Sequence, residues 1–281
     1  MLQNRFTVGN LHFTVVSDGQ FKMDAGAVFG VVPRVMWEPV AGELDDQHRL
    51  TFDLNCVLVR SADNTILIET GNGNKPTVPY EGGGILLDSL AREGVQPEDI
   101  DIVINTHLHA DHCGWNTRLE GDRMVPTFPK ARYYIQEKEW RDATNPNERT
   151  RSAYLADNFL PLEESGQLDL IDGERQITNQ IRIFPVPGHT DGHCGIILES
   201  DGERAIYLGD IAQHTAHMER FPWIAAFDVM PLVSLETKKK IIGGALDEGT
   251  MLIVAHLPFP GVGHMRQDGK FRRWEPIATD G

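Results

Sequence analysis

The chain is poor in cysteine, short of positive charge and free of long apolar runs. Its three cysteines, Cys56, Cys113 and Cys194, are an odd number with no C-x-x-C pair. That argues against a disulfide framework and fits a reducing cytoplasm. Lys and Arg number 26 against 41 Asp and Glu, a formal net charge of −15. Phosphate backbones and anionic bilayers would be repelled, so neither nucleic acid nor membrane is expected as a partner. No window approaches the ~18 consecutive apolar residues of a membrane span. Met1-Leu2-Gln3-Asn4-Arg5 lacks the charged-then-apolar layout of a secretory signal, and a cytoplasmic location is the expectation. There is no internal repeat of fixed short period and no low-complexity segment. What remains is an ordinary globular composition, 41% hydrophobic and 24% charged over 281 residues. It is enough to bury a sizeable core and is read as a single domain over residues 1–281.

Against this background one stretch stands out: Thr106-His107-Leu108-His109-Ala110-Asp111-His112. Imidazole and carboxylate are the side chains that hold zinc-like divalent cations. The preceding Ile100-Asp101-Ile102-Val103-Ile104-Asn105 is short, apolar and β-branched, which reads as a buried strand. The motif therefore sits where a strand opens into a loop. His107 and His109 share a face at period two, and Asp111 and His112 swing to a second position once the chain turns. Four ligands this close exceed what one tetrahedral ion uses alongside partners from elsewhere, so two metals are expected. Cys113 follows directly, and a small buried residue is the reading its type favours.

The rest of the chain alternates strands and helices. Phe6–Val8 and His12–Val16 flank Gly9-Asn10, a hairpin signal. Ala25–Trp37 is apolar but interrupted by Gly26, Gly30 and Pro33. It is read as core or, equally, as a substrate-pocket wall or a contact in a homodimer. Glu38–Arg49 reads as a surface loop. Phe52–Arg60 and Asn64–Thr70 form a second hairpin about Ser61-Ala62-Asp63, and Ile85–Glu93 a helix stopped by Gly94. Ala131–Gln136 is a strand, Glu137–Arg141 starts a helix, and a longer helix is expected over Glu148–Glu164. Further strands fall at Leu168–Ile171, Ile181–Phe184, Cys194–Leu198, Ala205–Leu208, Met251–Ala255 and Phe271–Ile277, with a helix at Leu235–Leu246. This order suits an α/β sandwich with two similar layers.

Four more acceptors stand at strand ends. His189 and His193 lie in Pro187-Gly188-His189-Thr190-Asp191-Gly192-His193, Asp210 follows Tyr207-Leu208-Gly209, and His256 follows Val254-Ala255. Gly188 and Gly209 suit chain passing close to an ion. HLHADH, GHTDGH, LGD and a late AH, in that order across nearly the whole chain, resemble the metallo-β-lactamase superfamily of binuclear hydrolases. The resemblance implies a four-layer αβ/βα sandwich with a binuclear metal site between the two sheets at one edge. It also implies one ion held by His107, His109 and His189, the other by Asp111, His112 and His256, with Asp210 bridging. Two divalent ions follow, zinc by default, with manganese, iron or cobalt as alternatives. A bridging water would become the hydroxide nucleophile, with Asp111 orienting it and relaying a proton. Glu69 stands where the superfamily usually has aspartate and is expected to support a ligand imidazole; a surface residue at a strand end is the alternative.

The superfamily hosts many substrates, so the fold does not fix this one. Asp24–Pro33, Asn147–Ser152 and Thr215-Ala216-His217 look like segments of quorum-quenching lactonases. Ala255–His264 and Arg273-Trp274-Glu275-Pro276 look like the methyl parathion hydrolase branch. A small-molecule lactone, N-acyl-homoserine lactones included, or a related ester is therefore the expected substrate, with a phosphotriester as the alternative. In acyl-homoserine lactonases of this family a tyrosine stands three residues after the bridging aspartate; here that residue is Gln213. His214 and His217 are candidates to replace it, or ordinary structural residues. Phe29, Val31, Met36, Phe221, Trp223 and Phe259 are expected either to line an apolar pocket or to be core or dimer contacts. A flavodiiron oxidoreductase would need a flavodoxin-like domain for which no sequence remains, and a decayed binding protein would have lost ligands that are all present here. The acidic balance disfavours a nuclease.

Overall fold

The computed structural model describes residues 4–61, 63–75 and 82–277. Met1, Leu2, Gln3 and Ala62, which entered the sequence reading, lie outside them.

The first hairpin forms as expected, β1 (Arg5–Val8) pairing antiparallel with β2 (Leu11–Asp24). β2 is longer than its apolar pattern suggests because a register shift between Ser17 and Gln20 carries it past a break in pairing with β3 (Arg49–Arg60). β4 (Thr65–Ile68) returns antiparallel. β5 (Ile102–Ile104) then pairs parallel with β4, reached through the helix Leu86–Arg92 as a parallel crossover requires. A small separate hairpin follows, β6 (Thr117–Glu120) with β7 (Arg123–Pro126), which the sequence reading missed. β8 (Arg132–Gln136) and β9 (Leu168–Ile171) complete a seven-stranded sheet in the order β1-β2-β3-β4-β5-β8-β9.

The second sheet also has seven strands: β10 (Arg175–Gln176), β11 (Ile181–Pro185), β12 (Cys194–Ser200), β13 (Glu203–Tyr207), β14 (Met251–Ile253), β15 (Val262–Asp268) and β16 (Phe271–Pro276), in that order. Only β13 and β14 run parallel, joined through the long helix Pro231–Glu248.

The two sheets pack face to face. Phe13, Val15, Val57, Ile66 and Ile104 from the first meet Ile181, Ile183, Ile196, Leu198 and Tyr207 from the second in one buried cluster. Each outer face is covered too: Leu86, Leu90, Trp140, Phe159 and Leu162 lie over the first sheet, and Met218, Ile242 and Ala245 over the second. Burial on both faces explains why Val57, Leu58 and Val59, or Ile196, Ile197 and Leu198, read as continuous apolar runs rather than alternations. The architecture is the expected αβ/βα sandwich.

Two local expectations change. Ala25–Trp37 becomes two short helices, Ala25–Phe29 capped by Asp24 and Arg34–Trp37. Val28, Phe29 and Trp37 turn inward over Phe21, Leu50 and Phe52, while Val31 and Val35 stay 95% and 80% exposed. Glu148–Glu164 is not one helix. Asn147 Oδ1 accepts the backbone N–H groups of Arg149 and Thr150, closing a turn that competes with helix. Helical geometry resumes only at Ala156–Asn158 and again at Leu160–Glu164, where Pro161 sits in the first turn, its tolerated position.

Candidate metal centre

The strand ends that carry the histidines converge on one rim. β5 runs into Asn105–His109 and the short helix Ala110–Cys113. β11 runs into the loop bearing His189, β13 into the turn Gly209–Ile211, and β14 into His256. Chain neighbours thus separate onto two sheets and meet again across the gap between them.

The seven residues marked in the sequence come together. His107, His109 and His189 offer ring nitrogens within 4.8 Å of one another, and so do the ligand atoms of Asp111, His112 and His256. His109 Nδ1 lies 2.9 Å from His189 Nε2, and His112 Nε2 lies 3.1 Å from His256 Nε2. Asp210 stands between the groups. Its Oδ1 is 3.3 Å from His112 and 3.0 Å from His256, and its Oδ2 is 3.5 Å from His189. Asp111 Oδ2 is 3.6 Å from His112 and 3.5 Å from His256.

Proton accounting shows what the cluster wants. His189 Nδ1–H donates to Asp228 Oδ1 at 3.0 Å. His256 Nδ1–H donates to the Asp53 carbonyl at 2.9 Å. His107 Nδ1 meets Thr106 Oγ1 at 3.0 Å, and that hydroxyl donates to Glu69. With the outer nitrogens so occupied, the inner Nε2 atoms turn lone pairs toward one another and toward two carboxylates. His107 Nε2 is buried without a hydrogen-bond partner among the described residues. Lone pairs crowded in this way need cations between them. The electrostatics agree. Burial, then the neighbouring imidazoles, hold His107 and His109 well below the usual histidine range. Burial opposes charge on His112, His189 and His256 as well, but Asp210 and its fellow carboxylates overrule it and raise all three. Asp210 is buried, yet His256, His112 and His189 hold it well below the carboxylate range. The donor set, imidazole with bridging-capable carboxylate, suits divalent metal ions.

The supporting residues are more numerous than the sequence suggested. Glu69 is buried, not a surface residue, and sits at φ +63. It accepts from the backbone of Thr106 at 3.0 Å and lies 3.5 Å from His112 Nδ1. His193 lies behind Asp210: the Asp210 N–H donates to its Nε2 at 2.9 Å, so Nδ1 carries the proton to the Val186 carbonyl at 3.0 Å. Burial pushes its pKa down to about 3. Glu139, fully buried, accepts from Leu108 N–H at 2.9 Å and Tyr154 Oη–H at 3.0 Å, and from the Thr190 hydroxyl, clamping both loops that carry the first group. Asp228 and Glu139 carried no signal in the sequence, since each is one acidic residue in an ordinary acidic chain. The two glycines are required by their protein neighbours. A Cβ on Gly209, at φ +53, would meet His193 Nε2 at 2.5 Å, and one on Gly188, at φ +143, would meet Ser234.

A cavity of about 350 Å³ opens over the cluster. His109, Asp111, His189, Asp210 and His256 form its floor, and Phe21, Met23, Ala27, Phe52, Phe227 and Val229 its apolar sides. Arg149, Thr150 and Ser152, from the broken Glu148–Glu164 segment, stand at one wall. The aromatic residues expected there lie elsewhere. Phe29 stacks on Trp37 at 5.0 Å, Phe221 lies under Arg272, Trp223 packs against Phe29 and Arg220, and Phe259 packs against the inter-sheet core. Met36 is 54% exposed and outside the cavity lining. Helical folding of Ala25–Trp37 turns Phe29 into core and Met36 to the surface, and leaves Ala27 as that segment's contribution to the cavity. His214 caps the helix Thr215–Glu219 and reaches the Ala41 carbonyl, so it does not stand in for the missing tyrosine. His217 is buried between Gln213 and the Val28 carbonyl. Gln213 itself lines the cavity.

The sequence signature of the family described as Metallo-beta-lactamase superfamily matches residues 51–243, more than half of the chain. An N-acyl homoserine lactonase of Bacillus cereus is 24% identical over 221 residues, 72% of this chain and 82% of the relative. A solved structure described as a probable metal-dependent hydrolase from Staphylococcus aureus superposes with a TM-score of 0.86 at 26% identity, over 98% of this chain and 100% of that one. Another, AidC, described as a dizinc quorum-quenching lactonase in complex with a product, superposes at 0.87 with 20% identity, over 99% and 98%. The chain belongs to the metallo-beta-lactamase superfamily. It is a metal-dependent hydrolase. No helix among the described residues is long and apolar enough to cross a membrane.

Proposed function

We propose that this chain hydrolyses lactones, N-acyl-homoserine lactones among them, at a centre of two divalent ions. One observation carries the reading: two three-ligand groups flank Asp210, and His109, Asp111, His189, Asp210 and His256 line an apolar-sided cavity. The sequence relative described as an N-acyl homoserine lactonase supports the choice of substrate. In this reading His107, His109 and His189 would hold one ion and Asp111, His112 and His256 the other. Asp210, whose Oδ1 faces His112 and His256 and whose Oδ2 faces His189, would serve both. Zinc suits the imidazole-rich set, and manganese, iron or cobalt accept the same donors.

Divalent ions bound there supply acidity to water near neutral pH and polarise a carbonyl oxygen. The chain's own residues do the rest. Asp111 reaches the cavity floor with a carboxylate that orients the attacking water and carries a proton to the leaving alkoxide. Phe21, Met23, Phe52 and Phe227 take the apolar part of the substrate and exclude water. Gln213 Nε2 spends one hydrogen on the Asp210 carbonyl at 2.6 Å, while Oε1 faces His217 Nδ1. The reverse amide orientation would set two carbonyl oxygens against each other. The second Nε2 hydrogen is not taken by His189 Nδ1, 3.5 Å away, which is itself a donor to Asp228. That hydrogen is available to a substrate oxygen. The three cysteines are free and buried, the state a reducing cytoplasm maintains.

The test is a panel offered to zinc-reconstituted protein: an acyl-homoserine lactone, a simple δ-lactone, an aryl ester and a dialkyl aryl phosphotriester. A lactone kcat/KM above roughly 10⁴ M⁻¹s⁻¹, with the phosphotriester far slower, supports the reading. The opposite ranking replaces it with a phosphotriesterase.

A further inference from the structure

Residues 223–230 form a loop that does two things at once. Ala226, Phe227 and Val229 face the cavity, and the Phe227 ring stands edge-on to His189 at 5.9 Å between centroids. Between them Asp228 turns the other way, its side chain only 3% exposed, and accepts the His189 Nδ1–H at 3.0 Å. The backbone is stitched to the same histidine: Val229 N–H donates to the His189 carbonyl at 3.0 Å and Met230 N–H to the Gly188 carbonyl at 2.9 Å. The loop's other attachments hold it from outside. Ala226 N–H donates to the Ala27 carbonyl at 2.8 Å, Arg149 to the Ala226 carbonyl at 2.6 Å, and the buried Lys238 ammonium to the Trp223 carbonyl at 2.6 Å.

We propose that Asp228 is a positioning residue that joins the substrate-facing wall of the cavity to the ion held by His107, His109 and His189. The inference rests on the ligand assignment above but not on the identity of the substrate. Three neutral imidazoles bring that ion no charge of their own, and Asp210 is shared with the other ion. Asp228 fixes the His189 tautomer so that the Nε2 lone pair faces inward, and its charge makes that nitrogen a stronger donor. Because wall and ligand move as one unit, a molecule that packs on Phe227 and Val229 also steadies His189. Retention of this ion and occupation of the cavity therefore favour each other, and they do so reciprocally.

The test is zinc competition against a chromophoric chelator on the full chain. Asp228→Ala is expected to weaken one of the two zinc ions about 10–100-fold and leave the other unchanged. Asp228→Asn keeps an oxygen acceptor without the charge and is expected to fall between. Saturating lactone hydrolysis product is expected to slow zinc loss from the wild type more than from Asp228→Ala. Wild-type affinity for both ions in Asp228→Ala overturns the proposal. So does equal weakening of both ions accompanied by a lower melting temperature of the zinc-free protein, which marks a merely structural role. Wild-type protein that binds no zinc overturns the ligand assignment and this inference together. Protein that binds two zinc ions yet spares lactones overturns the substrate reading alone, and the Asp228 result still decides the proposal.

Discussion

His193 offers the sharpest test, because its protonation state is fixed by what it touches. Its Nε2 accepts from the Asp210 N–H and its Nδ1–H donates to the Val186 carbonyl, both bonds near 3 Å and both buried. Replacement by Phe preserves ring bulk and removes both partners. A buried polar group stripped of its partner costs about 1–3 kcal/mol, so the two together predict a loss of roughly 2–6 kcal/mol at neutral pH. The pH dependence supplies a second signature. The His193 pKa falls from 6.5 to about 3 on folding, so between those values the unfolded chain binds the extra proton. Wild-type stability therefore drops as pH falls below 6.5, by about 1.4 kcal/mol per unit from this group. His193→Phe lacks that term. The gap between wild type and variant, measured by urea unfolding with and without zinc, is expected to narrow by about 2 kcal/mol from pH 6.5 to 5. A gap under 1 kcal/mol at pH 7, or one that does not change with pH, refutes the assignment.

Other outcomes follow from the same geometry. His109→Ala and Asp210→Asn are expected to abolish hydrolysis while leaving the far-ultraviolet circular dichroism of the zinc-free protein close to wild type; near-wild-type turnover in both would end the two-ion reading. Gln213→Leu is expected to lower kcat/KM about 10-fold, the scale of one neutral hydrogen bond, with zinc content unchanged on metal analysis. Burial holds the Lys238 ammonium down to about 7 from 10.5, so the unfolded chain binds more protons above pH 7 and wild-type stability rises with pH there. Lys238→Met is expected to remove about 2–3 kcal/mol of that rise between pH 7 and 9 in calorimetric unfolding. Gly209→Ala forces a Cβ to within 2.5 Å of His193 Nε2 at a left-handed φ, and a loss of more than 1 kcal/mol in urea unfolding is the expected result.

Much of the fold was legible because the sandwich buries both faces of its central strands. Val57–Val59, Ile102–Ile104 and Ile196–Leu198 announce themselves as short apolar runs. The parts that failed are those decided by strand pairing and side-chain hydrogen bonds rather than by apolar spacing. Arg123–Pro126 becomes a strand only by pairing with Thr117–Glu120. Glu148–Glu164 has helical apolar spacing, but the Asn147 side chain diverts its start and the Ala153 carbonyl is taken by Ala110 N–H in the ligand helix. That diversion places Arg149, Thr150 and Ser152 at the cavity. A site wall made from a broken helix leaves no periodic trace.

The centre itself divides along the same line. Residues that donate to the central cluster were legible because their types are rare and their positions repeat at strand ends: five histidines and Asp111 at three rim positions, joined by Asp210 at a fourth. Residues that hold those donors in place were not. Glu139, Asp228 and the Asp53 carbonyl act through outer nitrogens, backbone N–H groups and hydroxyls; any acidic residue brought to the first two spots, or any residue at all at the third, would do as well. Only the fold brings them there. Glu69 was found because it adjoins a strand end beside the motif, but its burial follows from the turn at φ +63 that tucks it under Thr106 and His112. The chemistry of the centre is thus written in residue identity and its rigidity in topology. Substitutions at the first kind are expected to remove activity outright, whereas those at the second grade it through metal affinity.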